Sequence, residues 1–434
     1  MTSWTLWLRY CAALMTALGA HACGAAPASA DAGIRSPRLR QLAEAVTAGD
    51  HSAVDAFWAE MKKNTTPLVE PLEGQQDHVW LTFVWKGDDA TQNVILAAGI
   101  AAGHPCDNRL SRLRDTNVWY ITMRMRNDLR TTYLFAPNDP LTVPDWNNAA
   151  AIKARAARLL RDPLNPRANY YASLVELDKA PQQPWIRRQP DVSRGSLQTE
   201  KLHSQILAND RQITVYRPSS YDPAAKPYPM LIAFDRESYT TVLPLPTILD
   251  NLIHFGKIPP VVAVLVGNPP DARNRELSCD SDFARFLAEE LFPWVRQRNH
   301  VAVDPRQVVI TGSSAGGLAS IYFAFRHPEL VGNVLSQSAS LGWSPDDGFA
   351  EDDPSREREW IARQFANSPR KQIRFFLESG LLESVHIDHR HLRDVLTAKG
   401  YEITGYTEYN GAHDYLNWRG SIADGLIALW TTSQ

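Results

Sequence analysis

The chain has 434 residues, long for one domain and comfortable for two. An apolar content of 44% and a charged content of 21% describe an ordinary globular protein. A formal net charge of -3 gives none of the basic character that nucleic-acid or general polyanion binding needs.

The first thirty residues read as an export signal. Arg9 supplies a positive charge, "CAALMTALGA" (11–20) is apolar but too short to span a bilayer, and the small residues Ala28 and Ala30 precede Asp31. Residues 1–30 are therefore expected to be a cleaved secretory signal and the protein periplasmic, with lipid attachment at Cys23 the lesser alternative. No later stretch is long and apolar enough to be a transmembrane helix. With Cys11 and Cys23 in the leader, only Cys106 and Cys279 remain, and their pairing is left open.

Residues 36–63 carry Leu39, Leu42, Val46, Val54 and Phe57 at helical spacing. The period then shortens. "HVWLTFVWKG" (78–87), "QNVILAAGI" (92–100), "NVWYITMRM" (117–125) and "TTYLFAPND" (131–139) are short, β-branched and aromatic, which predicts a small antiparallel β-sandwich. A proline-rich polar zone over 161–196 reads as a linker. The domains expected are thus 31–195, with the helix, sandwich and linker, and 196–434.

From about residue 200 the pattern is that of an α/β domain. "YPMLIAFD" (228–235), "PPVVAVLVG" (259–267) and "QVVIT" (307–311) are continuous apolar strands, as in a sheet buried on both faces. Helical stretches alternate with them, and Ser281 is placed to cap the one that follows it. Three further strands are expected at 332–338, 371–380 and 401–409.

Gly312-Ser313-Ser314-Ala315-Gly316 is a G-x-S-x-G motif between a buried strand and a helix. That context predicts a nucleophile elbow, with Ser314 strained and exposed to substrate and flanking glycines letting strand and helix approach. The Ala315 N–H at the helix start then faces the oxyanion, and the turn at Asp235–Arg236 is the candidate for a second donor. His413, after the last strand, is the candidate base. Glu383 is the favoured acid, with Glu378 and Asp388 as alternatives. His386, His389 and His391 lie in a charge-rich helical stretch and read mainly as a solvated face, a metal site being the lesser reading. No metal or other cofactor is expected.

The chain resembles the enterochelin (enterobactin) esterase family, esterase-D-like α/β-hydrolases with an N-terminal β-sandwich. The residues that carry this are "FWAEMKKNTTPLVEPL", "LTFVWKG", "DPLNP", "RNRELSCDSDFARFLAEELFPWVR", "TGSSAGGLASIYFAFRHPELVGNVLSQSAS" and "NGAHDYLNWR", in order across about residues 55–425. The resemblance implies a serine esterase that cuts the ester bonds of a tri-catecholate siderophore, often as its ferric complex, with Ser314 as nucleophile, His413 as base and Arg275 facing anionic catecholates. Arg236, Arg273, Arg275 and Trp343 fall in loops at the carboxyl ends of strands, where open α/β sheets bind ligands and a bulky aromatic trianion would need cationic and aromatic partners. Two departures from the family pattern, Arg236 where glycine is expected and "SASLGW" (338–343) where "SGSFWW" is expected, bear on which siderophore is used. The competing readings are a phenolic or feruloyl-type carboxylesterase and a non-catalytic periplasmic siderophore-binding protein. The sequence leaves oligomeric state open.

Overall fold

A computed structural model describes residues 33–101, 105–142, 149–169, 171–269, 271–346, 348–349 and 358–431. The expected export signal lies outside these, as does the Cys106 side chain; Cys279 is a free, buried thiol. The chain divides into two units, one running to Pro181 and taking in Asn410–Asp414, the other formed by Gln182–Tyr409 and Tyr415–Gln434.

The first unit opens with helices Pro37–Thr47 and Ser52–Asn64. Ser36 starts the former by accepting the Leu39 N–H at 3.1 Å, with Pro37 at the first helical position. Leu39, Leu42, Phe57, Trp58 and Met61 bury one face of the pair against Val84, Leu113 and Val118. Strands β1 (Leu68–Leu72), β2 (Gln75–Lys86), β3 (Val94–Ala97), β4 (Ser111–Arg112), β5 (Val118–Arg126), β6 (Arg130–Pro137) and β7 (Ser173–Glu176) form two antiparallel sheets, ordered β1-β2-β5-β4 and β3-β6-β7. Phe83 of β2 meets Tyr133 of β6 with ring centroids 4.8 Å apart, and Trp85 meets Phe135 at 5.3 Å, so the sheets face each other as a sandwich.

The proline-rich zone read as a linker is in part a piece of this sandwich. It contributes β7, and its polar residues turn inward: Asp162 Oδ2 accepts from Thr66 Oγ1 at 2.6 Å and from the Tyr133 hydroxyl at 2.8 Å, while Asn165 donates to the Leu174 carbonyl.

The second unit is built on an eight-stranded sheet. Its strands are β8 (Ser196–Ser204), β9 (Asn209–Arg217), β10 (Met230–Ala233), β11 (Val262–Val266), β12 (Val308–Ser313), β13 (Asn333–Gln337), β16 (Arg374–Gly380) and β17 (Glu402–Tyr409); β14 (Trp343–Ser344) and β15 (Gly348–Phe349) make a separate small hairpin. The order is β17-β16-β13-β12-β10-β11-β9-β8, parallel from β17 to β11 and antiparallel through the β8–β9 hairpin. The apolar runs of β10, β11 and β12 are wholly buried, as covering by helices on both faces requires. On one face lies helix Ala315–Arg326; on the other, Gly425 of helix Tyr415–Thr431 sits so close to Leu335 and Phe376 that a Cβ there would lie 2.6 Å from Leu335 Cδ1.

One long helix runs through Ser281–Arg285, a π-helical stretch Phe286–Leu291, and Phe292–Arg298. Its cap is Asp280, which accepts the Phe283 N–H at 2.7 Å; Ser281, expected as the cap, is the first helical residue. Among the described residues no helix is long and apolar enough to cross a membrane.

Candidate active site

Ser314 stands between β12 and helix Ala315–Arg326 with φ +58° and ψ -126°, a backbone conformation that a residue with a Cβ adopts only when its surroundings compel it. The compulsion is visible. Ser314 N–H donates to the Gln337 carbonyl at 2.9 Å, and its own carbonyl accepts from Leu318 N–H at 3.1 Å and Ser340 N–H at 3.2 Å. Strand and helix approach so closely that a Cβ on Gly312 would lie 2.5 Å from the Gly316 backbone. The Ser314 hydroxyl is buried 3.2 Å from that of Ser340. Ala315 opens a helix of 12 residues, so its N–H carries the positive end of the helix dipole.

A second turn with positive φ follows β10. Asp235, at φ +55°, precedes helix Arg236–Thr241, which leaves the Arg236 N–H at the start of that helix. Arg273 holds this turn, donating from Nε and Nη2 to the two carboxylate oxygens of Asp235 at 2.5 and 2.7 Å. The Arg236 side chain reaches back to β9, to Gln212 Oε1 at 2.7 Å and Thr214 Oγ1 at 3.3 Å, and pairs with Glu237. Two of the three arginines expected to face an anionic substrate thus hold partners inside the protein. Arg275 lies exposed on helix Arg273–Glu276 with no ion pair among the described residues. Trp343 is half-buried, edge-on to Trp360 at 5.4 Å.

Glu383 is buried in the turn after β16. Its Oε1 accepts from Gly380 N–H at 2.9 Å, Ser338 Oγ at 2.8 Å and the Tyr409 hydroxyl at 2.7 Å. The Trp418 indole N–H donates to Ser338 Oγ at 3.0 Å and to Tyr409 at 2.9 Å, so both hydroxyls can keep their protons pointed at the carboxylate. Burial above all, and then the nearby Glu383 and Glu378 carboxyls, pushes the Tyr409 hydroxyl well above its usual range and keeps it a donor. The alternative acids lie elsewhere. Glu378 is fully buried within β16, where Gln337 Nε2 and Ser421 Oγ donate to Oε1 at 2.8 and 2.6 Å. Asp388 pairs with Arg358 at 3.0 Å.

The three neighbouring histidines do not form one solvated face. His391 is exposed beside Glu359, and His386 Nδ1 donates to the Glu383 carbonyl at 2.5 Å. His389, in helix His386–Ala398, is completely buried. Its Nδ1 donates to the Val385 carbonyl at 2.9 Å and its Nε2 accepts the Ala339 N–H at 2.9 Å, which defines a neutral imidazole protonated on Nδ1. Among the described residues no group of three or more His, Cys, Asp or Glu is arranged to hold a metal ion.

His413, buried, lies in the segment 410–414 that belongs to the first unit. That segment is tied to the β5–β6 hairpin: Arg130 N–H donates to the Asn410 carbonyl at 3.1 Å, Asn410 Nδ2 to Asp128 Oδ1 at 2.8 Å, and Thr132 Oγ1 to Asp414 Oδ2 at 3.1 Å. Nothing in the local sequence around His413 signals these partners, which lie 280 residues or so upstream.

A mostly parallel sheet with a serine held at positive φ between a central strand and a helix N-terminus is the architecture of an α/β-hydrolase-type esterase. The chain matches the Esterase family over residues 204–429 and the enterochelin esterase N-terminal family over residues 80–186. It is 27% identical over 409 residues to the iron(III) salmochelin esterase of Escherichia coli O6:H1, an alignment covering 89% of this chain and 96% of that protein. It is 27% identical over 412 residues to the iron(III) enterobactin esterase of Dickeya dadantii, covering 87% and 93%. In fold it is similar to the ferric enterobactin esterase of Salmonella typhimurium, with a TM-score of 0.69 at 24% identity over 87% of this chain and 99% of that one. The chain belongs to the enterochelin esterase family and is a carboxylic-ester hydrolase.

Proposed function

We propose that this protein hydrolyses the ester bonds of an enterobactin-like tri-catecholate siderophore, in its ferric form, and so helps release iron. The observation that carries the reading is Ser314, strained and buried at the elbow between β12 and its helix. In this mechanism His413 takes the Ser314 proton as the hydroxyl attacks the ester carbonyl, and Glu383 orients the imidazole and balances its charge. The Ala315 and Arg236 N–H groups hold the oxyanion of the tetrahedral intermediate. Its collapse expels the alcohol, protonated by His413, and leaves an acyl-Ser314 ester. Water, deprotonated by His413, then cleaves that ester. The substrate class is supported by the two relatives named for enterobactin and salmochelin, and by Arg275, exposed and without an ion pair among the described residues. The reading also includes export, with cleavage before Asp31.

Product analysis after incubation with iron-loaded and iron-free enterobactin and salmochelin, beside a neutral phenyl ester, tests the substrate. Hydrolysis of the phenyl ester alone would favour a general aryl esterase. Ser314→Ala should lower turnover by several orders of magnitude and abolish labelling by a fluorophosphonate; near-wild-type turnover would move the nucleophile elsewhere. N-terminal sequencing of the exported protein should begin at Asp31, and a retained leader would refute export by this signal.

A further inference from the structure

The turn after β13 is held from behind. Ser338 has φ +44°, an unusual conformation for a residue with a side chain, and therefore one that neighbours must hold in place. It is packed on the first turn of the nucleophile's helix: a Cβ on Gly317 would lie 2.8 Å from Ser336 Oγ and 3.2 Å from Ala339 Cα. Two hydroxyls leave this turn in different directions. Ser340 Oγ lies 3.2 Å from Ser314 Oγ, and Ser338 Oγ lies 2.8 Å from Glu383 Oε1. Between them, the Ala339 N–H donates to His389 Nε2 at 2.9 Å.

A buried imidazole that spends both ring nitrogens on backbone groups cannot exchange protons with a substrate and cannot bind a metal without giving up a hydrogen bond. His389 does neither job. It supplies the acceptor for the N–H of Ala339, the residue between the two hydroxyls. A leucine of similar size would fill the space and leave the Ala339 N–H buried without a partner.

We propose that His389 is a positioning residue of the active site. Its Nε2 anchors the Ser338–Ser340 turn, so that one hydroxyl meets the nucleophile and the other meets the carboxylate. The Ser340 hydroxyl then restricts the rotation of Ser314 Oγ and can donate to it as its proton leaves, while Ser338 keeps Glu383 facing one way. The proposal rests on the reading of Ser314 and Glu383 given above.

Two amides separate this role from mere filling of space. In His389→Asn, the side-chain NH2 falls near the position of Nδ1, so the bond to Val385 survives and the acceptor for Ala339 is lost. In His389→Gln, the amide oxygen falls near Nε2 and the acceptor is kept. The readouts are kcat and KM on a neutral p-nitrophenyl ester, the rate of fluorophosphonate labelling at Ser314, and Tm. His389→Asn should lower kcat and the labelling rate by about ten- to a hundredfold, with KM within about twofold, because small misplacements of reacting groups cost that much. His389→Gln should recover most of the loss even if both variants lose similar Tm. Equal losses in the two, or none in His389→Asn, would overturn the proposal. Should His389→Asn fail to fold, Ser340→Ala decides: with His389 untouched, it should slow labelling several-fold relative to wild type, and an unchanged rate overturns the role. A wild-type protein not labelled at Ser314 would instead refute the nucleophile assignment, and this proposal with it.

Discussion

Glu378 should make the protein less stable as pH rises, and Glu378→Gln should remove that dependence. The carboxyl is fully buried in β16, takes two hydrogen bonds on Oε1, and has no partner for Oε2 among the described residues. Burial pushes its pKa up to about 8, the bonds from Ser421 and Gln337 opposing the rise. In the unfolded chain the same group titrates near roughly 4.3. Between those values the folded state carries one proton more than the unfolded state, so stability falls with pH; it is highest below the lower value and levels off above the upper one. The interval of almost four pH units, at about 1.4 kcal/mol each, amounts to about 5 kcal/mol at most, comparable with the whole stability of a small domain. Gln keeps an acceptor for Gln337 and Ser421 and cannot ionise. The assay is guanidinium unfolding of wild type and variant at about pH 5, 7 and 9, read as the difference between the two at each pH. The advantage of the variant should grow by several kcal/mol from the lowest pH to the highest. A difference that stays constant across this range would refute the assignment of a buried, neutral Glu378.

The arginines give paired predictions. Arg275→Ala should weaken use of a ferric catecholate by about ten- to a hundredfold while barely changing a neutral aryl ester, since a charge-assisted contact is worth roughly 1.5–3 kcal/mol; equal loss on both substrates would count against a role in substrate charge. Arg273→Ala should act differently, because it strips the bidentate partner from the nearly buried Asp235. It should cost about 3–5 kcal/mol in denaturant unfolding and reduce turnover of both substrates alike; a selective loss on the anionic substrate would return Arg273 to the role of a substrate-facing cation.

The alternation of apolar runs with helical spacing made the parallel sheet legible, because strands buried on both faces need no amphipathic pattern and few other structures tolerate such runs. The serine was legible for a related reason: Gly312 is required by the contact between strand and helix, and that requirement is local, whereas a Cβ on Gly316 would meet Asp235 and Phe234 at an ordinary 3.5 Å. What was not legible depends on distant partners. Arg273 reads as a partner for an anionic substrate until Asp235, 38 residues away, receives it. His389 sits in "HIDHRHLRD", as charged as any solvated helix face, and only the approach of Ala339 from 50 residues upstream reveals it as buried. The proline-rich zone hid β7 because its four residues pair with β6 and carry little periodicity of their own. The helix cap moved by one residue because Asp280 and Ser281 are equally good caps, and only the backbone chooses between them.

The π-helical stretch Phe286–Leu291 has an evolutionary consequence. Such a stretch is an α-helix that has absorbed an extra residue. In an ordinary helix the loss of one residue turns everything beyond it by about 100° and would swing a buried face out to water. Here the loss of one residue within 286–291 would relax the coil to plain α-helix and leave both Phe283 before it and Phe292 beyond it facing the core they now occupy. Natural relatives that are one residue shorter at this point need not have repacked either half, and the gap they show in alignment would mark a change of winding with the same interior.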